Sequence, residues 1–253
     1  MNSIYKAFEN KKAFVGFLVA GDPNEYKTVD YILEMEKAGA DLIEIGIPFS
    51  DPADEGETIQ NANIRALNRK ITMDKVFKIV KSVREYSNIP IVFLTYINPA
   101  YRYGYNKFFE DCREVGVEGV IFSDVPFEEK QEIEDISNKY DVDIISIIAP
   151  TSKNRIEKIS REAKGFIYIL PSFGEKDEIP SYVRKTVQEI KKFTDIPCVF
   201  NFEINDIDKL REIREVVDGI VIRSDIVKII EKYGDNSEEY LFNYIKKIKQ
   251  AIE

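Results

Sequence analysis

The sequence predicts one closed barrel of eight parallel strands, each followed by a helix, over residues 1–253. Three observations predict it. The chain has 253 residues, 44% of them hydrophobic, which suits one barrel core of this type. Eight short apolar runs alternate with longer amphipathic stretches. No Pro/Gly/Ser-rich or low-complexity stretch divides the chain, so a single domain is expected.

The eight runs are Ala13–Ala20, Leu42–Ile47, Ile91–Tyr96, Gly119–Ser123, Asp143–Ile148, Gly165–Leu170, Pro197–Asn201 and Gly219–Ile222. Each is rich in β-branched or aromatic residues and is bounded by Gly, Pro, Asp or Asn. Runs that are apolar on both faces suit parallel strands covered by helices. Helical periodicity falls between them, over 28–37, 73–86, 106–115, 128–140, 154–163, 182–193, 206–216 and 225–233, and a further helix over 237–252 ends the chain. Thr72, Ser152 and Asn205 are candidate helix starts, because a short polar side chain there accepts from a free first-turn amide. Regular strand–helix alternation without a linker favours the closed (β/α)8, or TIM, barrel over an open doubly wound sheet.

Composition removes several classes of function. The net charge of −9 argues against nucleic-acid binding, which needs a basic face. No stretch is long and apolar enough to span a membrane. Charges interrupt every apolar run near the N-terminus, so no signal-peptide pattern is read there. The two cysteines, Cys112 and Cys198, lie in apolar segments and belong to no CxxC pair, as expected of buried residues in a reducing compartment. A cytoplasmic location is expected. No GxGxxG fingerprint is present, which weakens a dinucleotide-binding reading. The chain has no histidine, so no metal site is expected and a Ser-His-Asp hydrolase is excluded. Acid/base chemistry falls to carboxylates, tyrosine or lysine.

In a barrel of this kind, function lies where the strands end. The second strand ends in Glu44-Ile45-Gly46-Ile47-Pro48-Phe49-Ser50-Asp51-Pro52, and the loop after it is acidic. Other strand ends bring Tyr96, Asp124, Tyr168, Asn201 and Arg223-Ser224. Glu44 stands out because an acid inside an apolar strand needs a reason. Facing the lumen, it would have a raised pKa and suit proton transfer. Facing outward, it would pair with a helix lysine. Both orientations remain open at this level.

Residues Glu44–Pro52 (EIGIPFSDP) with Thr58–Leu67 (TIQNANIRAL) resemble the strand-2 signature of tryptophan synthase α subunits. Ala20–Pro23 (AGDP), Leu94–Pro99 (LTYINP), Asp124–Glu129 (DVPFEE), Ile148–Ser152 (IAPTS), Phe166–Leu170 (FIYIL) and Ile226–Gly234 (IVKIIEKYG) resemble later segments in the same order. The resemblance covers essentially the whole chain. It implies a carbon–carbon lyase of tryptophan biosynthesis, which cleaves indole-3-glycerol phosphate into indole and glyceraldehyde 3-phosphate by a retro-aldol reaction. It implies no metal and no cofactor on this chain, with pyridoxal phosphate on a β subunit that receives the indole. By family position Glu44 is the acid/base and Glu55 the carboxylate at the indole N–H, where most members have Asp. Tyr168, Tyr96, Phe14, Ile59 and Phe202 correspond to positions lining the indole pocket. Pro48, Asp51, Asn98 and Asp124 correspond to residues facing the β subunit, although Pro and Asp also form turns for their own reasons.

The phosphate-binding loops depart from the family pattern. Asp177, Glu203 and Arg223 each stand where the family has glycine, and Ser224 is the unchanged contact position. Glycine lets a backbone approach phosphate oxygens closely. A carboxylate about 4 Å from one phosphate charge costs roughly 4 kcal/mol at an effective dielectric near 20. Arg223 either pairs with Glu203 and plugs the site or grips phosphate bidentately. Three readings follow: the family lyase with an altered grip, an enzyme acting on a non-phosphorylated substrate, and a non-catalytic partner or activator of a β-type subunit. Whether the loop over 171–180 closes on a ligand is left open.

Overall fold

The computed structural model describes residues 3–53, 55–171, 179–203 and 207–253. Nine parallel strand segments form one sheet: β1 (Ala13–Val19), β2 (Leu42–Gly46), β3 (Ile91–Thr95), β4 (Gly119–Phe122), β5 (Asp143–Ile144), β6 (Ser146–Ile148), β7 (Ile167–Ile169), β8 (Cys198–Asn201) and β9 (Gly219–Ile222). Their order, β5-β4-β3-β2-β1-β9-β8-β7-β6, puts β5 and β6 at opposite ends. These two are consecutive in the chain and are separated only by Ile145. The first half pairs with β4 and the second with β7. The expected fifth strand is therefore present in two halves, and it joins the ends of the sheet into the eight-membered ring.

The helices cover the outside of the ring. On α2 (Glu25–Lys37), Thr28, Tyr31, Ile32 and Met35 are buried at helical spacing. The helix starts earlier than its apolar period suggests, because the Asn24 side chain accepts from the Lys27 N–H at 2.9 Å. On α4 (Met73–Arg84), preceded by Thr72, the buried face is Val76, Phe77, Ile79, Val80 and Val83. The long helical stretch expected over 128–140 is broken into short 3-10 turns around a seven-residue helix, Gln131–Ser137. Ser152 sits inside a 3-10 turn, with its hydroxyl accepting from the Ala149 N–H at 3.1 Å, and the helix follows at Ile156–Glu162. Asn205 lies outside the described residues. Two elements that periodicity does not reveal are α3 (Glu57–Asn68) and α5 (Ile97–Tyr103), both in loops that leave the strand C-termini. The last two helices, α11 (Ser224–Tyr233) and α12 (Glu238–Ile252), follow the expected boundaries closely.

Strand register decides which side chains enter the lumen. Partners across a parallel ladder point to the same face, and successive residues alternate. Phe17 is the partner of Glu44, and Gly46 that of Leu94. A Cβ on Gly46 would lie 2.9 Å from the Phe17 ring, whereas one on Gly16 would lie 3.1 Å from the Met35 sulfur of α2. Phe17, Glu44 and Gly46 thus share the lumen face, and Gly16 faces the helices.

Two contacts fix the loops at the C-terminal face. Gly21, after β1, has φ +82, and a Cβ there would sit 2.2 Å from Ile71, so only glycine fits. The next residue, buried Asp22, accepts two bonds from Arg65 of α3, at 2.8 Å each, and Arg65 also donates to Glu231 of α11 at 2.7 Å. This bidentate pair clamps the first loop, α3 and α11 together on one side of the barrel mouth.

Candidate active site at the barrel mouth

Glu44 projects from the middle of β2 into the lumen and is fully buried. Glu55 approaches from the acidic loop after β2, with its side chain 8% exposed. Arg223 enters from the end of β9, where it caps α11. Its guanidinium donates to Glu55 through Nη2, while Nε lies 3.6 Å from Glu44 Oε1. The same group lies over the Phe17 ring, 4.5 Å from the centroid. One cation thus sits between two acids on an aromatic floor. Arg223 faces neither Glu203, which is exposed, nor solvent. The alternative of a Glu203 pair is not the one taken: Glu203 lies beyond the end of β8 and is exposed, whereas Arg223 continues the inward parity of Val221 into the lumen and meets Glu55 there.

Tyr168 of β7 completes the cluster. It is 1% exposed, and its hydroxyl neighbours both Glu44 and Arg223. Neither Glu44 oxygen completes a well-directed hydrogen bond among the described residues, and the same holds for the Tyr168 hydroxyl. Buried polar atoms left unsatisfied cost stability and are common where a substrate completes the bonding. Burial is the largest influence on Glu44 and raises its pKa to about 7; Arg223 pulls it down, Glu55 pushes it up, and nearby Tyr168 lowers it. Burial alone would lower the pKa of Arg223, but Glu55, Tyr168 and Glu44 outweigh it and hold the guanidinium firmly charged. Burial, reinforced by Glu44, keeps the Tyr168 phenol well above its ordinary pKa. The cluster holds one carboxyl near neutrality that can both give and take a proton.

The other candidates divide. Tyr96 caps α5 at the end of β3, with its ring 5.0 Å from that of Phe49, and is buried. Ile59 is buried on α3 beside the same loop. Phe202 is buried just past β8, against Phe200 at 6.1 Å. Ser224 is the first residue of α11, next to Arg223, and is half-buried. Phe14 differs from expectation: it has the parity of Gly16 and is turned to the helix layer, while Phe17, three residues on, takes the lumen place. Sequence reading missed Phe17 because both aromatics lie in one continuous apolar run. Asp177 lies outside the described residues, as does most of the loop over 171–180.

A cavity of about 650 Å³ opens at the opposite end of the barrel, lined by Lys6, Lys11, Asp41, Lys81, Arg84 and Arg113 among others. It lies where strands begin, and none of the cluster just described reaches it. Among the described residues, no group of three or more Cys, Asp or Glu is placed to hold a metal.

Residues 5–253 match the family model described as tryptophan synthase alpha chain. The chain belongs to the tryptophan synthase alpha chain family. It is 38% identical over 256 residues to the tryptophan synthase alpha chain of Lacticaseibacillus casei, covering 100% of this chain and 96% of that protein. The alpha chain of Caldanaerobacter subterraneus subsp. tengcongensis is 39% identical over 260 residues, at 100% and 97% coverage. Among solved structures, the alpha chain of Legionella pneumophila superposes with a TM-score of 0.90 at 30% identity, covering 100% of this chain and 97% of that one. A chain of the α2β2 tryptophan synthase complex of Pyrococcus furiosus gives 0.85 at 29% identity, over 94% and 98%. The eight-stranded barrel is thus the fold of the tryptophan synthase α chains.

Proposed function

We propose that the acids at this barrel mouth carry out the reaction of the tryptophan synthase α family, the retro-aldol cleavage of indole-3-glycerol phosphate. The chain is a carbon–carbon lyase of this family, acting in tryptophan biosynthesis. Alpha chains need no cofactor, and pyridoxal phosphate belongs to the β subunit. The observation that carries the residue assignment is Glu44, fully buried in the lumen with its pKa raised to about 7.

Protonated Glu44 gives its proton to the indole C3. Its carboxylate then takes the proton of the glycerol hydroxyl next to the breaking bond. The carbon–carbon bond electrons return to the indole ring, the aldehyde forms on glyceraldehyde 3-phosphate, and Glu44 ends protonated as it began. Glu55 accepts the indole N–H and offsets the positive charge that builds on the ring. Tyr168, kept neutral, orients Glu44, and Phe17 with Tyr96 supplies aromatic walls for the indole.

The docking face for a β-type subunit is the loop cluster carrying Pro48, Asp51, Asn98 and Asp124. Asp51, Asn98 and Asp124 are exposed and Pro48 is half-buried. Asp124 also accepts from the Ile97 N–H at 2.8 Å, which fixes one loop of that face against its neighbour. Exposed Tyr101 adds apolar area there, edge-on to Tyr105 at 5.8 Å.

The test is indole release from indole-3-glycerol phosphate as a function of pH. Because the first step needs the acid form, kcat/KM is constant at low pH and falls about tenfold per pH unit above about 7. A profile without an inflection near 7 refutes the assignment.

A further inference from the structure

The Arg223–Glu55 pair poses a problem for the reaction above, and its resolution rests on that proposed lyase reading. One Glu55 oxygen holds the Arg223 guanidinium, so an indole N–H would have to be received beside that bulky group, at the other oxygen. The guanidinium also stands beside Glu44 and covers Phe17, where an aromatic substrate ring would lie. A buried guanidinium leaves such a place only for another anion, since an unpaired buried charge is costly.

We propose that Arg223 is a substrate-specificity latch: at rest it fills the space between Glu44 and Glu55, and the anionic tail of the substrate draws it away, freeing Glu55 and the ring floor for the indole. Three features support it. Arg223 is the residue at which β9 ends and α11 begins, so its stem is hinged at the rim while its head reaches the lumen. The first amides of α11 lack intrahelical acceptors and, with the Ser224 hydroxyl beside them, give an incoming anion a second set of donors next to that hinge. The acid in that first turn, Asp225, is engaged elsewhere, by the Tyr244 hydroxyl at 3.1 Å and by Lys228 at 3.5 Å. Exchange of a carboxylate for a phosphate keeps the guanidinium paired throughout. A substrate without an anionic tail leaves the latch shut, so the site discriminates by charge at a distance from the reacting bond.

The latch makes anion and indole binding cooperative, and the coupling is reciprocal. The experiment is calorimetric titration of indole into the wild-type chain and into Arg223→Met, which keeps the stem and removes the charge, with and without saturating inorganic phosphate. The folded state of each is checked by thermal unfolding. In the wild type, phosphate tightens indole binding about tenfold or more. In Arg223→Met, indole binds as tightly without phosphate as the wild type does with it, and phosphate adds less than about twofold. Arg223→Lys serves as a second variant that keeps the charge without the fork, and retains the coupling in weakened form. Indole bound equally by wild type and Arg223→Met, regardless of phosphate, overturns the latch and leaves the lyase reading standing. Indole bound by neither protein overturns both.

Discussion

Arg223 and Glu55 are 168 positions apart in the chain and meet as a buried ion pair at the barrel mouth, directly beside Glu44. The pair sets the charge balance of the site. With Glu44 it forms a group of three charges, each sensitive to loss of the others.

Glu55→Gln leaves the Arg223 charge facing Glu44 alone. Breaking a buried pair by removing one partner costs about 3 kcal/mol or more. Chemical denaturation should show that loss, and the double variant Arg223→Met/Glu55→Gln should be more stable than Glu55→Gln by a large part of it. Additive effects of the two substitutions would mean that the pair is not coupled.

Glu44 carries a pH signature in stability. Its folded-state pKa of about 7 lies above the ordinary 4.5. Below 4.5 both folded and unfolded states hold the proton. Between 4.5 and 7 the unfolded chain releases it first, so stability is lost, by about 3 kcal/mol once both states are ionised. Glu44→Gln removes this loss. Relative to the wild type, the variant should gain about 3 kcal/mol between pH 4.5 and pH 8 in urea denaturation. A pH-independent difference contradicts the burial argument.

Gly46→Ala places a methyl group 2.9 Å from the Phe17 ring, which supports Arg223. Overpacking of this kind costs about 1–3 kcal/mol. The variant should unfold at lower denaturant and lose activity together, because the ring that must move is the floor of the site. Unchanged stability would show that Phe17 has room to retreat.

The docking face predicts separation of partner effects from chemistry. Asp51→Lys lies on an exposed loop after β2. It should weaken association with a β subunit about tenfold while leaving unassisted indole release unchanged. Association measured by titration with no change would remove Asp51 from the interface.

The barrel was legible because its strands are short, apolar on both faces and regularly spaced. Glu44 was legible for a related reason, since it is the acid that interrupts such a run. What sequence could not supply was direction. Phe14 and Phe17 look equivalent in AFVGFLVA, and only the register against β2 separates them. Helix α3 buries Ile59, Ala62, Asn63 and Ala66 at helical spacing, but two alanines and an asparagine make a weak apolar signal. The strand end puts Arg223 at the rim but leaves its partner open, because a flexible side chain chooses among carboxylates by three-dimensional reach and not by neighbourhood in the chain.

The role of Glu44 as the group that moves protons is tested most directly by indole release from indole-3-glycerol phosphate by Glu44→Gln. Glutamine keeps the shape and cannot exchange the proton, so kcat should fall by about 100-fold or more with the variant still folded. A folded Glu44→Gln chain that releases indole at the wild-type rate would contradict it.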